Sequence, residues 1–110
     1  MNDINIKNKK EFIKYLNHFK VSTKDLYGLS KNSSREFLEY EFLNEEYQEI
    51  LILYPKANWE EIINLLDNCI RDSANNVNFT LSLYSLMINI QYCLRGSEKN
   101  ITKSELIKGI

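Results

Sequence analysis

The segment from Val77 to Leu94, VNFTLSLYSLMINIQYCL, carries the strongest evidence of fold class. It contains no charged residue, glycine or proline over eighteen positions. Strand-like alternation holds only in its first half. Helical periodicity instead gathers its polar residues into one stripe, at spacings of four, three and four: Asn78, Ser82, Ser85 and Asn89. A helix that is apolar around most of its circumference is typical of the middle of a bundle, so we predict that residues 77–94 form the buried central helix of an all-α fold.

Capping signals divide the rest of the chain into further helices. Each signal is a polar residue followed three positions later by Glu or Asp: Asn8–Glu11, Ser22–Asp25, Ser33–Glu36, Asn58–Glu61 and Thr102–Glu105. With apolar periodicity they predict helices over about 9–20, 22–29, 34–54, 59–71 and 102–110. Arg95 and Gly96 are expected to end the central helix, Gly96 in the left-handed conformation. The prediction is one all-α domain over residues 1–110, a bundle of five to six helices.

The segment 34–54 allows two interpretations. One apolar stripe runs along it at alternating spacings of three and four: Tyr40, Leu43, Tyr47, Ile50 and Tyr54. Other large apolar residues, such as Phe42 and Ile52, lie off this stripe. Either the segment is a single helix buried on two sides, or it breaks near Asn44 and its halves bury different faces. Pro55 is expected to end it in both cases.

Composition limits the class of protein. The chain has 110 residues, of which 44% are hydrophobic, which suits one globular domain. Its first residues are polar, so we expect no leader sequence, and the six polar residues within 77–94 make that segment a poor membrane span. We therefore expect a soluble, cytoplasmic protein. Cys69 and Cys93 are expected to be buried thiols and not a disulfide.

The sequence contains no recognisable catalytic or cofactor constellation. His18 is the only histidine, and no spacing connects it to a nucleophile or to a set of metal ligands. The three glycines, Gly28, Gly96 and Gly109, stand apart and form no phosphate-binding loop. We therefore predict a non-enzymatic protein with no metal and no cofactor.

Charge is distributed unevenly along the chain. Residues 1–24 carry six Lys against two acids, a net charge of +4, whereas residues 35–49 carry one Arg against six Glu, a net charge of −5. The acidic run either solvates the outside of a helix or forms a face that binds a basic protein, since opposite charges speed association. For the second interpretation the predicted contact residues are Glu39, Glu41, Glu45, Glu46, Tyr47 and Glu49. Among them Glu41, Glu45 and Glu49 would share one helical face.

A DNA-binding alternative rests on residues 22–42, STKDLYGLSKNSSREFLEYEF. A short helix, a polar turn and a longer helix would resemble a helix–turn–helix motif. The second helix would carry Glu36, Glu39 and Glu41 between two rows of phosphates, which disfavours this interpretation. We therefore do not expect nucleic acid as a partner.

In its length, helical pattern and acidic run Glu36–Glu49 with neighbouring tyrosines, the chain resembles the small α-helical immunity proteins of bacterial toxin–immunity systems. These include partners of contact-dependent growth-inhibition toxins and of nuclease colicins. The resemblance is one of general type and involves no shared motif. It implies a cytoplasmic protein that binds a cognate toxin domain and blocks its active site. Because many such toxins are basic nucleases, it also implies that the acidic helix occupies the nucleic-acid-binding cleft.

Overall fold

The computed structural model describes residues 6–32, 34–74 and 79–96, and within these residues it contains helices and turns and no strand. The all-α class is therefore confirmed. Four α-helices are present in the described residues: α1 (Ile6–Ser30), α2 (Asn44–Leu53), α3 (Trp59–Ala74) and α4 (Phe79–Leu94). Two 3₁₀ turns, Arg35–Phe37 and Glu41–Leu43, join α1 to α2. The helix predicted over 102–110 lies outside the described residues.

Helix α1 is one continuous element of 25 residues, where the sequence predicted two helices separated near Ser22. The predicted caps at Asn8 and Ser22 are wrong, because both residues lie within the helix. Asp25 does not close a capping box either. Its carboxylate accepts hydrogen bonds from a distant part of the chain, and this long-range role leaves the helix uninterrupted.

The segment 34–54 does not form a single helix. An α-helix begins only at Asn44, so the predicted break near that residue is present. The first half of the segment was predicted to be helical and to bury a face of its own, and this is wrong, because it consists of two 3₁₀ turns with no buried residue. The physical reason lies in two backbone donors. The N–H groups of Glu39 and Tyr40 donate to the carboxylate of Asp25, at 2.9 and 3.0 Å, instead of to carbonyls four residues earlier. Helical hydrogen bonding cannot continue through residues whose donors are taken in this way.

Helix α3 occupies the middle of the bundle, with α1 packed on one side and α4 on another. Its buried residues recur at spacings of three and four: Trp59, Ile62, Leu66, Cys69 and Ser73. The predicted cap is confirmed, since the backbone N–H of Glu61 donates to Asn58 Oδ1 at 3.1 Å. Lys20 Nζ and Asp67 Oδ1, 2.8 Å apart, add an ion pair between α1 and α3.

The central position predicted for α4 is not confirmed, because α3 is the helix that α1 and α4 both contact among the described residues. The orientation of α4 is also unexpected. Ser82 and Asn89, members of the polar stripe, are buried together with Leu86 and Cys93. Tyr84 and Met87 are exposed, Met87 by 58%. The polar stripe thus points into the bundle, and part of the apolar surface of α4 remains open to solvent.

The last turn and the cysteines agree with expectation. Gly96 has φ = 84°, the left-handed conformation predicted for it. Cys69 and Cys93 are both buried, and neither forms a disulfide. Within the part of the chain that the structure describes, no helix combines the length and hydropathy needed to cross a membrane.

Candidate protein-interaction surface

The carboxylate of Asp25 holds the acidic segment against α1. It is buried and accepts three hydrogen bonds: from the N–H groups of Glu39 and Tyr40, and from the hydroxyl of Tyr47 at 2.9 Å. A carboxylate accepts several donors at once, so one side chain of α1 positions both the turn before α2 and α2 itself. The sequence assigned Asp25 only a capping role. Nothing in its local pattern indicates a partner fourteen to twenty-two residues away.

Tyr47 supports the acidic segment from beneath. The sequence placed this residue on the contact face, but its side chain is only 2% exposed and belongs to the core. Burial raises the pKa of the Tyr47 hydroxyl to about 12, and the adjacent carboxylate of Asp25 adds to the rise, while a hydrogen bond with Ser22 opposes it. The hydroxyl therefore stays protonated and remains a donor to Asp25 at neutral pH.

The five glutamates of the predicted site are all exposed: Glu39, Glu41, Glu45, Glu46 and Glu49. We call this set the acidic surface. Glu45 and Glu49 share one face of α2, as predicted. Glu41 lies in the 3₁₀ turn before α2 and pairs with Arg35, with Nη2 and Oε1 3.5 Å apart, so the predicted helical face of three glutamates is wrong in that one member.

Large apolar side chains are exposed next to these glutamates. Phe37 and Phe42 are each 79% exposed, and Ile52 and Leu53 are exposed to a similar degree. Apolar residues that face solvent within a charged surrounding are typical of protein-binding surfaces. The sequence analysis noted Phe42 and Ile52 as lying off the main stripe, and this misfit was the available signal of their exposure.

An apolar groove adjoins the acidic surface. Its cavity volume is about 760 Å³, and side chains from all four α-helices line it. Tyr40, Phe42 and Glu46 belong both to the groove and to the segment that carries the acidic surface. On the groove wall, Tyr40 Oη lies 2.6 Å from His18 Nδ1, which gives this histidine a structural partner.

The geometry bears on the alternatives considered from sequence. Residues 22–30 are the end of α1, and residues 34–43 form turns, so no second α-helix of a helix–turn–helix motif exists among the described residues of 22–42. The same described part of the chain contains no cluster of three or more His, Cys, Asp or Glu side chains arranged to hold a metal ion.

Comparison of the chain with protein-family models, with curated proteins and with solved structures gives no match.

Proposed function

We propose that the chain is a non-enzymatic binding protein of the immunity-protein kind, which neutralises a basic toxin domain by docking its acidic surface onto that domain. The observation that supports the proposal is the composition of the exposed residues between 37 and 53, which we call the patch. Within this stretch of sequence five exposed glutamates alternate with four exposed large apolar side chains, Phe37, Phe42, Ile52 and Leu53. Charged groups speed and orient the encounter, and apolar anchors contribute most of the affinity once water is displaced.

The scaffold beneath the patch suits tight binding. Asp25 fixes the backbone at residues 39 and 40, and Tyr47 fixes α2, so the acidic surface is ordered before it meets a partner. A preorganised surface loses less conformational entropy on association than a flexible one. The basic residues 9, 10, 14 and 24 lie on α1, in a different part of the sequence from the acidic surface.

The proposal is tested by measuring association with and without the charges. Tagged protein retains its partner from an extract of the source cells, and the partner is identified and purified. The association rate is then measured at about 50 and 300 mM salt for the unmodified chain and for the double variant Glu45→Lys/Glu49→Lys. We expect a basic partner, a rate that falls with salt, and a loss of about tenfold or more in the variant, as electrostatic steering requires.

Two exposed acids outside the patch provide a matched control. Glu11 on α1 and Glu60 on α3 are exposed, and Glu11→Lys/Glu60→Lys changes the net charge by the same amount. This control is expected to keep most of the association rate. Equal rates for the patch variant and the unmodified chain would contradict the proposal, as would a partner without net positive charge. Retention of DNA in place of a protein would favour a regulator.

A toxin-protection assay then separates binding from neutralisation. Cells that express the identified partner are expected to stop growing and to recover when the unmodified chain is co-expressed. The patch variant is expected to protect less than the control variant. Growth that is unaffected by the partner would remove the toxin part of the proposal and leave only a binding protein.

A further inference from the structure

Helices α1 and α4 both pack on α3 and hardly on each other, and an apolar depression lies between them. The apolar groove forms one part of it, with Trp59 and Ile62 of α3 in its lining. A second apolar cavity of about 340 Å³ adjoins the groove, shares Phe19 and Ile90 with it, and includes Leu66 of α3. We call the two cavities together the trough.

The trough has the length of a helix of about four turns. Its lining residues on α1 run from Phe12 to Leu26, and those on α4 run from Thr80 to Leu94. Each run extends over about 21 Å, which is the length of an α-helix of about fourteen residues. Helix α2 borders only the part that holds Trp59, because no α2 residue lines the second cavity. Three helices that share one apolar depression are the arrangement of a four-helix bundle that lacks one helix.

Exposed side chains form both walls of the trough. On α1, Tyr15 and Phe19 are each more than half exposed, and on α4, Tyr84 and Met87 are each about half exposed. Within each pair the residues are four or three positions apart, so they face the same side of their helix. Large apolar side chains that stay exposed along a continuous depression are typical of a surface that binds another protein.

The chemistry of the trough favours a helical occupant. Its walls are α-helices, whose backbone groups bond within the helix, and most of its lining side chains are apolar. An extended segment would leave its backbone N–H and C=O groups unpaired there, whereas an α-helix pairs its own. Grooves of this kind bind amphipathic helices through apolar residues spaced three and four positions apart.

The charge of the trough favours a basic occupant. Among the described residues that line the two cavities, Glu46 is the only Asp, Glu, Lys or Arg. Glu46 is exposed and has no ion-pair partner among the described residues. Glu49 follows three positions later and is therefore its neighbour on the surface of α2. A helix in the trough would meet uncompensated negative charge on the α2 side, which lysine or arginine complements.

The chain itself offers no such helix among its described residues. The exposed large apolar residues of α1 and α4 already line the trough: Phe12, Tyr15, Phe19, Tyr84 and Met87. Helix α3 has no exposed large apolar residue. Helix α2 exposes Ile52 and Leu53, but its three exposed glutamates would meet Glu46 as like charges. A second copy would have to use a wall of its own trough or bring glutamates to Glu46, so we do not expect it as the occupant.

We infer that the trough binds one amphipathic α-helix of about fourteen residues, with its apolar side on α1, α3 and α4 and with lysine or arginine beside Glu46. A basic partner of the kind proposed above would present this helix. The inference therefore names the element by which that partner is held, and in this respect it rests on the proposed function.

Synthetic peptides test the occupant without a partner protein. One is basic and amphipathic, with leucine at every third or fourth position, lysine along one flank and alanine elsewhere to favour a helix. A second has glutamate in place of each lysine, and a third has the composition of the first in an order that spreads the leucines around the helix. By fluorescence anisotropy we expect the full chain to bind the first at least about tenfold more tightly than the others. Equal binding of all three, or no binding of the first, would overturn the inference.

Two pairs of substitutions locate the bound peptide. Phe19→Ser/Met87→Ser removes an exposed apolar side chain from each wall, whereas Asn17→Ser/Gln91→Ser changes exposed polar residues of the same helices that do not line the trough. We expect the first pair to weaken binding of the basic peptide by about tenfold or more and the second by less than about twofold. The single indole N–H signal of Trp59 in the NMR spectrum is expected to shift when the peptide binds. Equal affinities of the two variants would overturn the inference.

Sedimentation of the unmodified chain over a wide range of concentration tests a second copy as the occupant. We expect a monomer throughout. A dimer that Phe19→Ser/Met87→Ser dissociates would overturn the inference in favour of a second copy.

The purified partner separates this inference from the proposed function. Phe19→Ser/Met87→Ser is expected to raise the dissociation rate by about tenfold or more, whereas Glu45→Lys/Glu49→Lys mainly lowers the association rate. An unchanged dissociation rate, with slower association in the glutamate variant, would overturn the trough as the docking site and leave the proposed function in place. Binding of the basic peptide in the trough, with a purified partner that is not basic, would contradict the proposed function and support the trough as a site for a basic helix.

Discussion

Removal of the Asp25 carboxylate tests how the acidic segment is held on α1. Asp25 accepts from two backbone N–H groups and from the Tyr47 hydroxyl, all at 2.9–3.0 Å. Hydrogen bonds to an ionised group contribute about 1.5–3 kcal/mol each, but Asp25→Ala also relieves the cost of burying the carboxylate, so the net loss is smaller than the sum of the three bonds. We therefore expect Asp25→Ala to lower the free energy of unfolding by about 2–4 kcal/mol.

The Tyr47 hydroxyl gives the second arm of a double-mutant cycle. Tyr47→Phe removes one of the three donors and keeps the aromatic packing, so we expect a loss of about 1–2 kcal/mol. In the Asp25→Ala background the same change is expected to cost at least about 1 kcal/mol less, because the hydroxyl has already lost its acceptor and keeps only its hydrogen bond with Ser22. The coupling energy between the two positions should therefore be about 1–2 kcal/mol.

Urea unfolding followed by Trp59 fluorescence measures all four proteins of the cycle. Trp59 is the only tryptophan and is buried, so its emission reports loss of the core. Glu11→Ala serves as the control, because Glu11 is an exposed acid on the same helix, and its replacement should change stability by less than about 0.5 kcal/mol. Additive losses at Asp25 and Tyr47, or a cost for Asp25→Ala no larger than that of the control, would refute the role assigned to the carboxylate.

Three further predictions concern single positions. Because burial raises the pKa of Tyr47 to about 12, against about 10 in the unfolded chain, the unfolded state loses this proton first as pH rises. The contribution of this pKa shift to the free energy of unfolding is therefore complete below about pH 10, and roughly 2–3 kcal/mol is lost as the pH rises to 12. In Tyr47→Phe the free energy of unfolding, measured with urea, should fall less over this pH range. Gly96→Ala and Gly96→Asn should lower the melting temperature by similar amounts, because the Cβ atom of either residue would meet the Lys56 carbonyl oxygen. Asn tolerates a positive φ better than Ala does, so an Asn variant that melts like the unmodified chain would show that only the backbone angle matters. Ser82 Oγ is buried without a hydrogen-bond partner among the described residues. Ser82→Ala should therefore leave the free energy of unfolding unchanged or raise it by up to about 1 kcal/mol in the same urea assay. A clear loss would show that this hydroxyl has a partner.

Local signals in the sequence predicted those elements whose ends are set locally. The cap at Asn58 and the left-handed Gly96 are properties of a few adjacent residues, and the bounds of α3 and α4 come close to the predicted 59–71 and 77–94. The break before Asn44 was one of two open interpretations. The break depends on Asp25, because its carboxylate accepts hydrogen bonds from the N–H groups of Glu39 and Tyr40. These bonds join residues that are far apart in the sequence, so no local pattern predicts them.

Hydrophobicity alone did not identify α3 as the helix that its neighbours share among the described residues. The composition of α4 indicated burial, but it could not show which side of the helix would pack against other helices. In the structure Ser82 and Asn89 are buried, and Met87 is exposed. Helix α3 has a clearer division between its polar and apolar sides and is the element that both neighbours contact. Exposure of the candidate glutamates followed from their charge, whereas the burial of Tyr47 depended on a partner far away in the sequence.

The length of α1 has a mechanical consequence. Its 25 residues extend over about 38 Å, close to the longest dimension of the molecule, 41 Å. Its first half contributes Phe12 to the wall of the second apolar cavity, of about 340 Å³, lined mainly by α1 and α4, and its second half carries Asp25. An unbroken helix is stiff, so α1 connects the two ends of the molecule rigidly. Helix α1 has no hinge between Phe12 and Asp25, and Asp25 is hydrogen-bonded to the turn at Glu39. The cavity wall at Phe12 and this turn should therefore move together.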